Sequence, residues 1–124
     1  MGPRLGSRIM VKAATYVPDA GDLVWLSFSP QAGREQAGRR PALVLSPRSY
    51  NSRADLCLVS PITNQAKGYP FEVSLPDSLP VSGVVLSDHV RSSNWKVRQV
   101  KFIAKAPEGV LEDVRAKLQA LLGL

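Results

Sequence analysis

The sequence predicts a mainly β domain carrying one C-terminal α-helix, and three observations lead there. Short apolar runs with a period of two recur along the chain, beginning with Val24 and Leu26 on one phase and Leu23 and Trp25 on the other. The segments between these runs are too short to be the crossover helices that a parallel sheet requires. After Pro107 the period changes: Val110 or Leu111, Val114, Leu118 and Leu121 recur at three- and four-residue steps, the spacing of an amphipathic helix. A small, strongly bent antiparallel barrel capped by that helix is the expected architecture.

The elements follow in order. Residues 1–15 show no sustained period and are expected to be a flexible leader, so the predicted single domain spans residues 16–124. The first strand lies between Gly21 and Pro30, with Phe28 continuing the phase of Val24 and Leu26. Residues 29–39 are polar, contain Gly33 and Gly38, and read as a long functional loop. Arg40 precedes Pro41, which pushes it towards an extended backbone at the mouth of a second strand, 41–46. Residues 49–53 suit one helical turn, and 56–60 form a third apolar run that Pro61 is expected to stop. A polar connection, 63–69, leads to a half-buried strand at 70–75, where Phe71 and Val73 alternate with Glu72 and Ser74. A turn region at 76–83, a short strand at 84–86 and a further pair at 90–95 and 97–104 complete the β part. Pro107 suits the first turn of a helix running to about residue 122.

Composition narrows the function. The chain has 124 residues, a formal charge of +6, one Cys and one His. A lone cysteine forms no intramolecular disulfide, and with a single histidine it cannot supply a zinc site, so a reducing cytoplasm, no metal and no cofactor are expected. No apolar run approaches the roughly 20 residues of a membrane-spanning helix, and none near the N-terminus resembles a signal-peptide core. The excess of basic residues favours anionic partners, nucleic acid first among them.

Most catalytic constellations are missing. No glycine-rich loop ends in Lys-Ser or Lys-Thr, which removes a phosphate cradle for NTP hydrolysis. Cys57 sits in the apolar run Leu56-Cys57-Leu58-Val59, where a thiol behaves as a small hydrophobe rather than as a nucleophile paired with His89. His89 follows Asp88, so its plain reading is a turn residue beside a carboxylate. What remains is a polar, largely basic set on two loops: Glu35, Arg39 and Arg40 on one, Thr63, Asn64, Gln65 and Lys67 on the next. A barrel would gather such loops at one end.

Three stretches then become specific: YVPDAGDLVW at 16–25, EQAGRRP at 35–41 and TNQAKGYPFEV at 63–73, with 81–95 continuing more loosely. In order and spacing they resemble the MazF/PemK family of toxin endoribonucleases, over nearly all of the chain from Tyr16 onward. The resemblance implies an SH3-like barrel of the kind shared by CcdB-, Kid- and MazF-like toxins, assembled as a homodimer. It also implies sequence-specific, metal-independent cleavage of single-stranded mRNA, leaving 2′,3′-cyclic phosphate and 5′-hydroxyl ends and so inhibiting translation and growth. By the family pattern the catalytic arginine falls on Arg40, the catalytic threonine on Thr63 and the acidic loop residue on Glu35. Lys67 matches the family lysine, and Arg39, Asn64, Gln65, Asp88 and His89 complete the expected RNA-binding set. Arg39 stands where several relatives have histidine and His89 where several have glutamine, so base recognition can differ here.

The chemistry suits those residue types. When the substrate's own 2′-hydroxyl is the nucleophile, the protein has to stabilise a crowded anionic phosphorane and move protons. Arg40 offers fixed N–H donors and Thr63 a hydroxyl donor at one centre. Arginine is a poor base because its pKa exceeds about 12, which leaves Glu35, Asp88 and substrate or water as acceptors. The implied partners are single-stranded RNA, a second copy of the chain and an acidic MazE-like antitoxin, with operator DNA engaged only alongside that antitoxin. A toxin of the same fold that poisons DNA gyrase is the alternative, and a non-catalytic nucleic-acid-binding subunit is a third reading.

Overall fold

The computed structural model describes residues 15–27 and 38–124. Glu35, Phe28, most of the 29–39 loop and nearly all of the expected leader lie outside the described residues. Among the described residues seven strands and two helices run in the order β1 (Asp22–Ser27), β2 (Arg39–Val44), α1 (Arg48–Ala54), β3 (Leu56–Thr63), β4 (Glu72–Ser74), β5 (Val84–Leu86), β6 (Arg91–Asn94), β7 (Lys101–Lys105) and α2 (Glu108–Leu122).

Every strand pairing is antiparallel, and the sheet order is β4-β5-β3-β2-β1-β7, with β6 branching from β3. The fold is therefore mainly β with a C-terminal helix, as expected, but the sheet is open and forked rather than closed into a barrel. β3 is the reason. One of its edges pairs with β2, while the other serves β6 through Leu56–Val59 and β5 through Ile62 and Thr63.

Each face of the sheet covers a core. Leu23, Leu43, Ile62 and Val85 pack with Val110, Leu111 and Val114 of α2, whose apolar stripe is the period read from the sequence. On the opposite face Val24, Leu26, Ala42, Val44, Cys57 and Val59 pack with Trp95. β1 is thus buried on both of its phases.

A polar node stitches α1 to this second face. Asn51 is fully buried; its Nδ2 donates to the carbonyls of Pro18 (2.8 Å) and Ser46 (2.9 Å), and its Oδ1 accepts from Ser46 Oγ (2.6 Å). Trp95 Nε1 donates to the Asn51 carbonyl at 3.0 Å. At the start of β1, buried Asp22 accepts from the Tyr16 hydroxyl (2.5 Å) and pairs with Lys105 Nζ (2.8 Å). Burial, with the Asp22 carboxylate beside it, raises the Tyr16 pKa well above the ordinary phenol value.

Three of the boundaries that differ from expectation do so for a local reason. β3 runs through Pro61 instead of stopping there. The Leu45 N–H donates to the Leu58 carbonyl, so the backbone groups of Leu58, Ser60 and Ile62 face β2 and those of Pro61 face the forked edge, between the partners β6 and β5. The missing proline N–H therefore breaks no ladder bond. The strand expected at 97–104 is shortened to Lys101–Lys105, because Asn94 Oδ1 accepts the N–H groups of Lys96 and Val97 and folds that segment into a turn, with Gln99 at φ 56°. β2 stops at Val44 because the Ser46 side chain turns inward to Asn51 and to the Leu58 N–H.

Candidate RNA-binding cleft

The site is built where β2 and β3 part. Their register pairs Ala42 with Pro61, Leu43 with Ser60 and Val44 with Val59. Arg40 and Thr63 lie two residues beyond the last of these pairs. Because the Leu45 N–H donates to the Leu58 carbonyl, that last pair, Ala42 and Pro61, falls on the alternate, non-hydrogen-bonded phase, where facing side chains come closest. Arg40 is exposed, and it and Thr63 line an open cleft of about 770 Å³.

Arg39, Asn64 and Gln65 line the same cleft, so five of the expected site residues converge there. Thr63 Oγ1 accepts the Gln65 N–H at 3.1 Å, which fixes the oxygen and leaves the hydroxyl proton to donate outward. Ser82 Oγ donates to Asn64 Oδ1 at 3.0 Å and ties this loop to the segment before β5. Gly83, next in the chain, sits so close that a Cβ there would lie 2.2 Å from the Thr63 carbonyl oxygen. Among the described residues the cleft lining holds three guanidinium groups, Arg39, Arg40 and Arg91, and no carboxylate.

The structure does not bring three other expected residues to this cleft. Lys67 belongs to a loop fastened by Glu72, whose carboxylate accepts the N–H groups of Lys67 (2.9 Å) and Gly68 (3.0 Å). His89 lies in a turn, its N–H donating to the Leu86 carbonyl, with Nε2 3.8 Å from Asp88 and both side chains open to solvent. Asp88 lines a different, apolar groove beside α2. Cys57 is fully buried and its thiol is pushed up to about 12 by burial, the opposite of what a thiolate nucleophile requires. Among the described residues no three His, Cys, Asp or Glu side chains gather as they would to hold a metal ion.

Sequence reasoning missed Trp25, Ser82, Gly83 and Arg91. Trp25 was legible as a strand residue, but its position beside Arg39, whose guanidinium lies 5.8 Å from the ring centroid, depends on the β1–β2 register. Arg91 arrives through β6, which pairs with β3 at Val59.

Residues 19–122 match the family of PemK-like, MazF-like toxins of type II toxin-antitoxin systems. The chain belongs to that family. It is 50% identical over 109 residues to the endoribonuclease toxin MazF of Escherichia coli K12, covering 87% of this chain and 96% of the relative. The endoribonuclease toxin ChpB of the same organism is 39% identical over 118 residues, covering 91% and 99%. Among solved structures, a MazE–MazF complex from Deinococcus radiodurans superposes with a TM-score of 0.82 at 60% identity, covering 88% of this chain and 99% of that one. A mycobacterial endoribonuclease, at 18% identity and a TM-score of 0.71, shares the fold. The open, forked sheet with its terminal helix is thus the architecture of MazF-like toxins.

Proposed function

We propose that this MazF-like toxin is an endoribonuclease that cuts single-stranded RNA at a short recognition sequence without a metal, leaving 2′,3′-cyclic phosphate and 5′-hydroxyl ends. The observation that supports the reading is that Arg40 and Thr63 line one cationic cleft, in a chain half identical to a named endoribonuclease.

In this mechanism the substrate 2′-oxygen attacks the adjacent phosphorus while the bond to the 5′-oxygen breaks. Arg40 offsets the charge that builds on the non-bridging oxygens, and the Thr63 hydroxyl donates to one of them. Arg39 and Arg91 hold neighbouring phosphates. Glu35 accepts the 2′-hydroxyl proton, and the departing 5′-oxygen takes a proton from water to leave as the 5′-hydroxyl. Two facts favour it: no Asp or Glu among the described residues lines the cleft, and Glu35 precedes Arg39 by four residues, a tether of at most about 14 Å. Bases of a single strand are free to splay out and be read at their edges, which suits an open cleft.

Two partners complete the proposal. The groove beside α2, lined by Leu45, Leu58, Val90, Leu118, Leu121 and Leu124, is the apolar face that a second copy covers. An acidic antitoxin segment laid across the arginines would silence the enzyme; a similar MazF from Deinococcus radiodurans is solved together with MazE. The toxin then acts in the cytoplasm by removing messages and halting growth.

The test is incubation with long mixed-sequence RNA in excess EDTA, beside Arg40→Ala and Thr63→Ala. Wild-type protein is expected to cut at a recurring short sequence and leave 5′-hydroxyl ends, with each variant slower by about 100- to 1,000-fold. RNA left intact by the wild type overturns the proposal, and full activity in a variant removes that residue from the mechanism.

A further inference from the structure

The cleft contains more than phosphate-binding chemistry. Trp25 lines it, half-buried, beside Pro41, its cross-strand partner in β1 and β2, with Pro80 and Val81 contributing further non-polar wall. The Trp25–Pro41 position is again the phase on which side chains lie closest, so the proline braces the indole from the sheet side. Over the ring stands the Arg39 guanidinium, 5.8 Å from its centroid. A charged group at the end of a strand, rather than core, covers that ring.

A planar cation over an indole occupies the place that a nucleobase takes when it stacks, and arginine continues such a stack from its own flat face. We propose that Trp25 is the stacking platform for a base next to the scissile phosphate, with Arg39 closing over that base or moving to its phosphate. The inference rests on the RNA-cleaving reading and adds to it a specificity-determining contact outside the Arg40–Thr63 pair. Stacking favours a base for its π surface rather than for its edge, so Trp25 sets the register of the strand and the preference for larger rings at that position.

The chain has two tryptophans, which gives a direct readout. Trp95 is sealed in the core with its Nε1 bonded to the Asn51 carbonyl. Titrating wild-type protein with a single-stranded oligodeoxynucleotide of mixed sequence, which lacks the attacking 2′-hydroxyl, is expected to quench the fluorescence, and Trp25→Phe is expected to abolish the quench. In cleavage assays Trp25→Leu should lose about 5- to 150-fold in kcat/KM, the span of one base–aromatic stack, chiefly through KM, while Trp25→Phe retains most of the activity. A mere packing role would instead lower the urea midpoint of both variants and leave the KM of the folded fraction unchanged. If RNA is cut but Trp25→Leu has the wild-type KM, or the quench persists in Trp25→Phe, the stacking assignment fails while the nuclease reading stands. If wild-type protein leaves RNA intact, both fail together.

Discussion

Replacing Gly83 by alanine tests whether Thr63 works at the reacting centre. Gly83 has φ +118°, a conformation that L residues rarely adopt, and an added Cβ would lie 2.2 Å from the Thr63 carbonyl oxygen and 2.8 Å from its carbonyl carbon. Both obstacles are backbone, so no side chain can swing aside. Ordinary contact begins near 3.4 Å, which requires the two segments to separate by about 1.2 Å. A misplacement of about 1 Å in a catalytic group costs on the order of 100-fold in rate. The backbone conformation itself costs about 1–3 kcal/mol in stability. Gly21→Ala supplies the control, because Gly21 also has a left-handed φ of +91°, but its added Cβ would meet only side-chain atoms at 3.6 Å or beyond. Single-turnover RNA cleavage and urea unfolding should be measured on both. The expected result is a stability loss in both variants and a drop of about 100-fold in kcat for Gly83→Ala alone. A folded Gly83→Ala protein with kcat within about threefold of wild type would refute the placement of Thr63 at the scissile phosphate.

Other perturbations probe the scaffold and the charge of the cleft. Asn51→Ala leaves the buried Pro18 and Ser46 carbonyls and the Ser46 hydroxyl without their partner, and urea unfolding should show a loss of about 2–4 kcal/mol. Cys57, held near 12 by burial, keeps its proton in the folded state where the unfolded thiol would lose it. Stability should therefore fall as pH rises above about 8.5, by roughly 1–2 kcal/mol at pH 10, and Cys57→Ala should lack that component of the pH dependence. Arg91→Gln removes one cation of the cleft, so RNA affinity should weaken and its log–log salt slope should become shallower by about 0.7, as read by fluorescence anisotropy.

Local pattern made most of the framework readable and left the assembly hidden. β1, β5 and α2 follow from period-two and period-three-to-four spacing because each buries a regular face. Arg40 and Thr63 were reachable from the sequence through the family words around them, and the structure adds that both line one cleft beyond the end of the β2–β3 ladder. Tertiary pairings had no local trace. Nothing near Ser49 and Tyr50 marks Asn51 as fully buried, since its partners Pro18 and Trp95 are remote in sequence. Pro61 reads as a strand breaker until the fork in β3 is known, and the turn after Asn94 depends on a single side-chain oxygen. Lys67, Asp88 and His89, carried over from the family pattern, are not among the residues that line the cleft, and Asp88 lines the groove beside α2.

The cleft lies where a proline ends a ladder. On β2 the backbone groups of Leu43 and Leu45 face β3, and by alternation so does the nitrogen of Pro41, which has no proton to give. The β2–β3 ladder accordingly ends at Ala42 and Pro61, two residues short of Arg40 and Thr63. On β3 the nitrogen of Pro61 faces the opposite edge, at the gap where β6 has ended and β5 begins. Pro41 removes a bond that would draw β2 to β3, whereas Pro61 costs no ladder bond, and the pairing of the two strands stops there. Just beyond that end an arginine and a threonine line an accessible cleft. The same Pro41 biases Arg40 to an extended backbone and stands across from Trp25. One residue with no polar side chain thus opens the groove, directs the guanidinium and backs the aromatic wall.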